Sequence, residues 1–445
     1  MKTTSASVFG VLTVGIVIGY VVAKATGDGS SLLSQERIVS AVTALAASTA
    51  QAADASKPSP QAANYSRTGT VENRAVYYPG TEALEPDEMR VIACGSGMPV
   101  PSLNQGAACF LVELGNGDKF VFDMGTGSSE RLMSLGIPLD YINKVFIGHL
   151  HMDHMGDLPA FWLYGPQNNR SGGINVWGPG GGGTNPEWGM KASMEHLRGV
   201  WAWMQGTLVG TIDTRAWDLN VNEFDWSKVN NVIYEENGVV IRTIPAIHFE
   251  QSVSFILEWN GLKLSYSSDT VPNKWWTEYT KGSDLSIHEA FFPTPMWAKY
   301  YGFSDQEALN ASTLIHTSAP MFGKIMSITK PRRAVAYHFT NTPDTLPQMV
   351  EAVRKTYDGP LDFATDFMVW NVTKDSIRTR LGSYIHYNFP VPPLQEKQMA
   401  AVGGRYQTPK WVTDGLEPEV LPVIQKIYDE FNEERGTDFQ NPLKK

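Results

Sequence analysis

Short apolar runs closed by Gly, Asn and Pro punctuate the chain from about residue 90 to residue 372. Arg90 to Ala93 reads as a strand running into Cys94-Gly95-Ser96-Gly97. Ala108 to Leu114 and Lys119 to Phe122 flank Gly115-Asn116-Gly117-Asp118, where Asn-Gly supplies the positive φ that a tight hairpin needs. The unit recurs as Val253 to Trp259, Asn260-Gly261 and Leu262 to Ser268. Each second strand runs into an aspartate, Asp123 or Asp269. Two halves of like architecture are therefore expected to face each other, although any two Asn-Gly hairpins share this look.

Between the halves, Trp162 to Trp226 carries a Gly-rich tract, Gly178 to Gly183, together with Trp188, Trp201, Trp203 and Trp217. A segment this aromatic is no linker. It is expected to form helices around Met190 to Met204, over the site or beside it, within an insertion spanning about 162–235. Leu158 to Leu163 and Leu421 to Glu434 also read as helices, and past Trp370 the chain turns Pro-rich and charged. These patterns bound a main domain over 77–378 and a surface-wrapping C-terminal extension over 379–445.

Upstream, an apolar run from Val8 to Ala23 lies between Lys2 and Lys24, and Ala23-Lys24-Ala25 offers a small-x-small cleavage site. Residues 1–25 therefore read as an export signal to the periplasm or, uncleaved, as an inner-membrane anchor. About sixteen residues of helix span roughly 24 Å against a hydrocarbon core of roughly 30 Å, so an anchor would have to recruit flanking Thr and Ser. Ile38 to Ala52 is a second weakly apolar stretch ending in Ala50-Gln51-Ala52, so the mature end could lie there instead. Residues 26–76 read as a low-complexity linker, because the Ala, Ser, Pro, Gln and Asn between Ala53 and Val71 cannot bury enough apolar area to offset ordering.

The apolar fraction of 42%, with 13 Trp, 17 Tyr and 40 Gly, supports a sizeable core in a loop-rich α/β protein rather than a helical bundle. A net charge of -10 and a pI near 5.4 argue against a nucleic acid held chiefly through its phosphates, which needs clustered Lys and Arg. Cys94 and Cys109 are the only cysteines, which excludes a disulfide scaffold and a Cys-rich zinc site. They read as two buried thiols, with pairing in an oxidising compartment as the other option.

The chemistry concentrates in Val145-Phe146-Ile147-Gly148-His149-Leu150-His151-Met152-Asp153-His154. An apolar strand enters it, and His149 and His151, two apart, are expected to leave one face of the strand's end. Asp153 and His154 follow in a turn before the Leu158 helix, which carries them toward a second spot. Without thiolates, imidazole nitrogen and carboxylate oxygen are the ligands zinc accepts. A metal-free His-rich turn here would bury these groups unpaired, at high cost. The cluster alone cannot saturate two metals, but His248, Asp269 and His338 end the runs Val239 to Ile247, Leu262 to Ser268 and Ala334 to Tyr337. Strand C-termini are where α/β proteins place their sites.

The run His149-Leu150-His151-Met152-Asp153-His154 resembles the signature of the metallo-β-lactamase-fold hydrolase superfamily. The order of the later ligands resembles its ribonuclease Z and arylsulfatase branch, over about Met89 to Val372. The phrases YYPGTEALEPDEM, AVAYHF, VRKTYDGPL and MVWNVT further resemble a bacterial guanitoxin-biosynthesis-type subgroup. The resemblance implies a four-layer αββα sandwich, here with a Trp/Gly-rich insertion and a C-terminal extension. It implies one Zn²⁺ on His149, His151 and His248, a second on Asp153, His154 and His338, and Asp269 shared between them, with Mn²⁺ or Fe²⁺ as alternatives. His338-Phe339 matches the family's last ligand, His288-Glu289-Ala290 its His-Glu-Ala stretch, and His316-Thr317-Ser318 the place where a His-Ser-Thr motif carries an acid. Ser268 stands where Gly is usual, Thr317-Ser318 inverts the family order, and Cys94-Gly95-Ser96-Gly97 replaces a Gly-Thr-Gly.

Two such ions hold a bridging hydroxide at neutral pH, since metal binding drops the pKa of water from 15.7 toward about 7. On this reading Asp153 orients it, and His316, its tautomer fixed by Glu289, protonates the leaving group. The alternative is that His316 caps a helix and Glu289 anchors a strand. Asp123 is read as structural, accepting hydrogen bonds from the Gly-rich turn after it; His196 and His386 are given no catalytic part. The expected substrate is a small ester (phosphodiester, sulfate ester, or carboxylic ester or lactone), with Trp side chains near the mouth suiting an aromatic or apolar group. A ribonuclease Z-like tRNA 3′-processing endonuclease and a non-catalytic binding module on the same fold are the rival readings. The membrane enters only through the N-terminal segment, and a homodimer is allowed.

Overall fold

The computed structural model describes residues 75–386, 390–398, 407 and 409–443. The expected export segment, and the linker up to residue 74, lie outside these residues. Among the described residues no helix is long and apolar enough to cross a membrane.

Two sheets carry the fold. In the first, nine strands follow the spatial order Val76–Tyr77, Ile377–Gly382, Met368–Val372, Met89–Gly95, Cys109–Leu114, Lys119–Phe122, Lys144–Phe146, Ile174–Pro179 and Leu219–Phe224. In the second, seven run Leu361–Phe363, Arg333–Tyr337, Leu285–Glu289, Leu262–Tyr266, Val253–Trp259, Val239–Pro245 and Asn231–Glu236. Each sheet contains an Asn-Gly hairpin whose second strand opens a run of parallel neighbours: Lys119–Phe122 with three in the first sheet, Leu262–Tyr266 with three in the second. The two halves thus share a topology, and the parallel runs gather their C-terminal ends.

The period-two alternation of side chains sorts residues into layers. Val91, Ala93, Phe110, Val112, Phe120 and Phe122 join Val239, Ile241, Phe255, Leu257, Val335 and Tyr337 in a core between the sheets. Their chain neighbours point the other way: Ile92, Cys94, Leu111 and Val121 pack under the helices Ser128–Ser134, Leu158–Leu163 and Met190–Val200. On the far side Ile256, Ala334 and Ala336 pack under Thr294–Tyr301, Ala319–Thr329 and Leu346–Arg354. The order is helix, sheet, sheet, helix: the αββα sandwich. Rings such as Phe122, 5.3 Å from Phe255 across the sheets, each stabilise by roughly 1.5–3 kcal/mol on burial.

Two expected bounds shift. The stretch 162–235, expected as an insertion, is built into both sheets: Ile174–Pro179 and Leu219–Phe224 extend the first in parallel and Asn231–Glu236 edges the second. The helices expected around Met190 to Met204 are Met190–Val200 and Ala202–Leu208, parted at Trp201, and Met190 and Met194 pack on the outer face of the first sheet. Gly178 makes that packing possible, since a Cβ there would lie 2.6 Å from the Met190 side chain. The boundary at 378 falls inside the strand Ile377–Gly382, so the extension begins after it. From there Ser383 donates its N–H to Tyr77 O, Ile385 to Ser134 O and Gln398 to Asp213, drawing the chain over the surface. Cys94 and Cys109 are buried free thiols.

Candidate metal centre

The first loop after a parallel strand is set by a buried carboxylate. Lys144–Phe146 ends three residues before His149, because Gly148 turns its N–H onto Asp123 Oδ1 (2.7 Å) and its carbonyl onto Val253 N (3.0 Å). His149 and His151 therefore leave from this loop and not from the strand itself. Gly148 is forced: a Cβ there would lie 2.3 Å from Ser268 Oγ. Ser268 adopts the left-handed φ of 48° that explains a usual glycine, and uses its hydroxyl to donate to Asp123 Oδ2 (3.0 Å). Asp123 (φ 56°) and His338 (φ 67°) share this strained region, and such strain clusters at functional sites.

Two groups of ligand atoms result. In one, His151 Nδ1 lies 3.1 Å from His149 Nε2 and 3.3 Å from His248 Nε2, and Asp269 Oδ2 lies 3.8 Å from both of those Nε2 atoms. His248 donates its Nδ1–H to Ile315 O (2.9 Å), which leaves the lone pair on Nε2. In the other, His154 Nε2 and His338 Nε2 are 3.4 Å apart, and Asp269 Oδ1 is 3.2 Å from each. Asp153 Oδ2 is 3.0 Å from His338 Nε2 and 3.4 Å from His154 Nε2. His154 donates Nδ1–H to Asp123 Oδ2 (2.7 Å), fixing the tautomer that presents Nε2.

These groups fit metal ions. Ligands at about 2.0–2.1 Å in a tetrahedron stand about 3.3 Å from one another, the spacing seen here. Ring nitrogens face each other at 3.1 Å (His149 Nε2 and His151 Nδ1) and 3.4 Å (His154 Nε2 and His338 Nε2), and the buried Asp269 Oδ1 has no hydrogen-bond partner among the described residues. Burial holds His248 down to about 4 and His149 well below the usual imidazole range, the neutral form that offers a lone pair. His154 goes the other way: burial lowers it, but Asp269, Asp153 and Asp123 outweigh that and pull it up. Burial likewise opposes the charge on Asp269, while the His154 and His338 imidazoles draw its pKa down.

Of the expected residues, His149, His151, His248 and Asp269 come together, as do Asp153, His154, Asp269 and His338. His316 follows the π-helical turn Ala311–Ile315, a geometry frequent at functional sites, and its ring stacks on Phe291 with centroids 3.7 Å apart. Its Nδ1 is 3.1 Å from Glu289 Oε2 and 3.7 Å from Asp269 Oδ2. Glu289 ends its strand and also accepts the Thr270 N–H, so it anchors the strand and faces His316 together. His288 points away, its ring edge-on to Trp276. His196 is exposed beside Glu187, and His386 packs on Tyr384. Asp123 differs from expectation: it accepts from Gly148, Tyr266 (2.6 Å) and Ser268 and holds His154, not the turn that follows it. The sequence reading missed Tyr266 and Gln105, whose amide donates to Phe339 O and accepts Asn341 N–H around His338. Their signal is a contact across more than a hundred residues, which no local pattern carries.

A family profile described as "Anti-Pycsar protein Apyc1" matches residues 89–176. The chain is 24% identical to a ribonuclease Z of Haloferax volcanii over 316 residues, 62% of this chain and 93% of that one. It is 24% identical to a ribonuclease Z of Bacteroides fragilis over 311 residues, 58% and 90% of the two chains. Among solved structures, the metallo-beta-lactamase fold protein YhfI from Bacillus subtilis aligns at 15% identity and a TM-score of 0.47, covering 64% of this chain and all of that one. With two ribonucleases Z matched over nearly their whole length, two facing sheets flanked by helices and paired His/Asp groups at the strand ends, the chain is similar to the metallo-β-lactamase-fold hydrolases and has the make-up of a metal-dependent hydrolase.

Proposed function

We propose that the chain is an exported dinuclear zinc hydrolase of small esters, with phosphodiesters first among them. One observation carries the dinuclear reading: Asp269 turns Oδ2 toward His149 and His248 and Oδ1 toward His154 and His338. His149, His151 and His248 would hold one ion, Asp153, His154 and His338 the other, and Asp269 both. Imidazole and carboxylate without thiolate suit zinc, with manganese or iron as substitutes the same ligands accept. Bound, such ions supply a nucleophile from water at neutral pH and Lewis-acid stabilisation of the charge that develops on the ester.

The chain's own residues do the rest. His248 and His154 are kept in their Nε2-presenting tautomers by Ile315 O and Asp123. Asp153, buried against His154 and His338, orients the attacking water. His316, steadied by Glu289 at Nδ1 and by the face of Phe291, delivers a proton to the leaving oxygen. Export rests on the Val8 to Ala23 run between Lys2 and Lys24; finding the protein in the cytoplasmic fraction would remove that part.

The test is a panel of bis-aryl phosphate, aryl sulfate, aryl ester and lactone, assayed with wild type and Asp269→Ala. Turnover of the phosphodiester, lost in the variant, is expected; turnover of none of the four sinks the ester reading. A second reading, tRNA 3′ processing, is favoured by the ribonuclease Z relatives and opposed by the acidic net charge of -10. Cleavage of a precursor tRNA far faster than any small ester would decide for it.

A further inference from the structure

Large apolar side chains stand in solvent beside His151, the exposed member of the ligand groups. Met152 follows it in the chain and is 69% exposed; Phe249, next to His248, is 55% exposed. The Phe249 ring sits edge-on to two imidazoles, its centroid 4.6 Å from that of His248 and 5.5 Å from that of His151. Val100 is exposed as well, and with Met98, Pro99, Pro101 and Met152 it lines a cavity of about 50 Å³ that reaches Asp153. No lysine or arginine lines that cavity among the described residues. Trp188, Trp201 and Trp203, expected near the mouth, are exposed, and none of them lines this cavity.

Phe249 is also held in place. The following Glu250 accepts the N–H and hydroxyl of Thr184 (3.0 and 2.7 Å), and Gln251 donates Nε2–H to Gly182 O (3.1 Å). The Gly-rich tract therefore ties down the turn that carries His248 and Phe249 together. Exposed apolar side chains grouped at the edge of a polar site offer a surface that an apolar ligand group can cover, and covering it removes that area from water.

Resting on the ester-hydrolase reading above, we infer that Phe249 and Met152 are specificity-determining residues that grip an apolar substituent of the ester, an aryl or branched alkyl group, beside His151. The group rests between the phenyl ring and the thioether, with Val100 and Pro101 extending the apolar surface toward Asp153. A polyanionic chain gains nothing from such walls. A neutral group that leaves water on both faces gains from each.

The test compares phenyl 4-nitrophenyl phosphate with methyl 4-nitrophenyl phosphate, which share a leaving group and differ only in the substituent. Wild type should favour the phenyl ester in kcat/KM. Phe249→Ala and Met152→Ala should each cut that preference by about fivefold, through KM and not kcat, since each removes part of one buried apolar contact. Metal content measured on each variant separates a grip lost from a site lost. A preference unchanged in both metal-loaded variants overturns the inference, as does a wild type that turns over the two esters equally. Turnover of neither ester by wild type fails the hydrolase reading instead.

Discussion

Replacing Asp123 by Asn isolates what a buried carboxylate does for the centre. Asp123 is fully buried and receives four donors: Gly148 N–H on Oδ1, and His154 Nδ1–H, Tyr266 O–H and Ser268 O–H on Oδ2. Asn keeps the shape and tolerates the left-handed φ of 56°, so the backbone is not the variable. Its amide must, however, turn –NH₂ toward one set of donors. With the oxygen at the Oδ2 position, the amide meets Gly148 N–H at 2.7 Å; reversed, it meets three donors. At least one buried donor is left unpaired, which costs about 1–3 kcal/mol. His154 also loses a charged acceptor, and partners of this kind are worth about 10–100-fold in metal affinity. Zinc competition against a chromophoric chelator at pH 7, alongside thermal melts of the metal-free protein, reads both effects. Affinity within threefold of wild type would show that Asp123 does not hold His154 for a metal, whatever the melt does.

Gly148→Ala should overpack the loop by about 1–3 kcal/mol and deplete bound metal, and adding Ser268→Gly, which removes the atom 2.3 Å away, should restore most of it; a double variant as impaired as the single one refutes this. His316→Ala should cost about 10²–10⁴-fold in kcat with a methoxide leaving group and far less with 4-nitrophenolate, which leaves without a proton; equal losses remove the acid role. Glu113 is a stability probe remote from the metals: burial raises its pKa, but Lys119 and Arg90 outweigh that and hold it below the usual carboxylate range. The unfolded chain then binds the extra proton, so this stabilisation is present above about pH 4.3 and is lost as pH falls through the lower folded pKa. Urea melts from pH 6 downward should show that loss in wild type and a flatter profile in Glu113→Gln.

Much of the fold was legible because its signals are local. Short apolar runs placed Lys119–Phe122 and Val253–Trp259 at their observed bounds, and Asn-Gly marked both hairpins. The site was legible because its side chains follow strand ends, which a run of apolar residues closing on His or Asp displays directly. What stayed hidden depends on distant residues. Ser268 looked like a departure from a glycine, and only the fold shows its hydroxyl filling the space that Gly148 vacates. Asp123 and Asp269 occupy like places in the two halves, yet one holds a histidine and the other faces both ligand groups, a difference set by the opposite sheet. The tract around Gly178 looked like an insertion because glycine and tryptophan obscure the strand pattern of Ile174–Pro179, whose burial comes from Met190 and the first sheet.

The convergence of seven side chains on two cations is tested most directly by counting them. Metal analysis of the purified protein, after dialysis against metal-free buffer, should find about two divalent ions per wild-type chain and one or fewer in Asp269→Ala, which removes the carboxylate common to both groups. Less than one ion per wild-type chain, or two retained without Asp269, would contradict it.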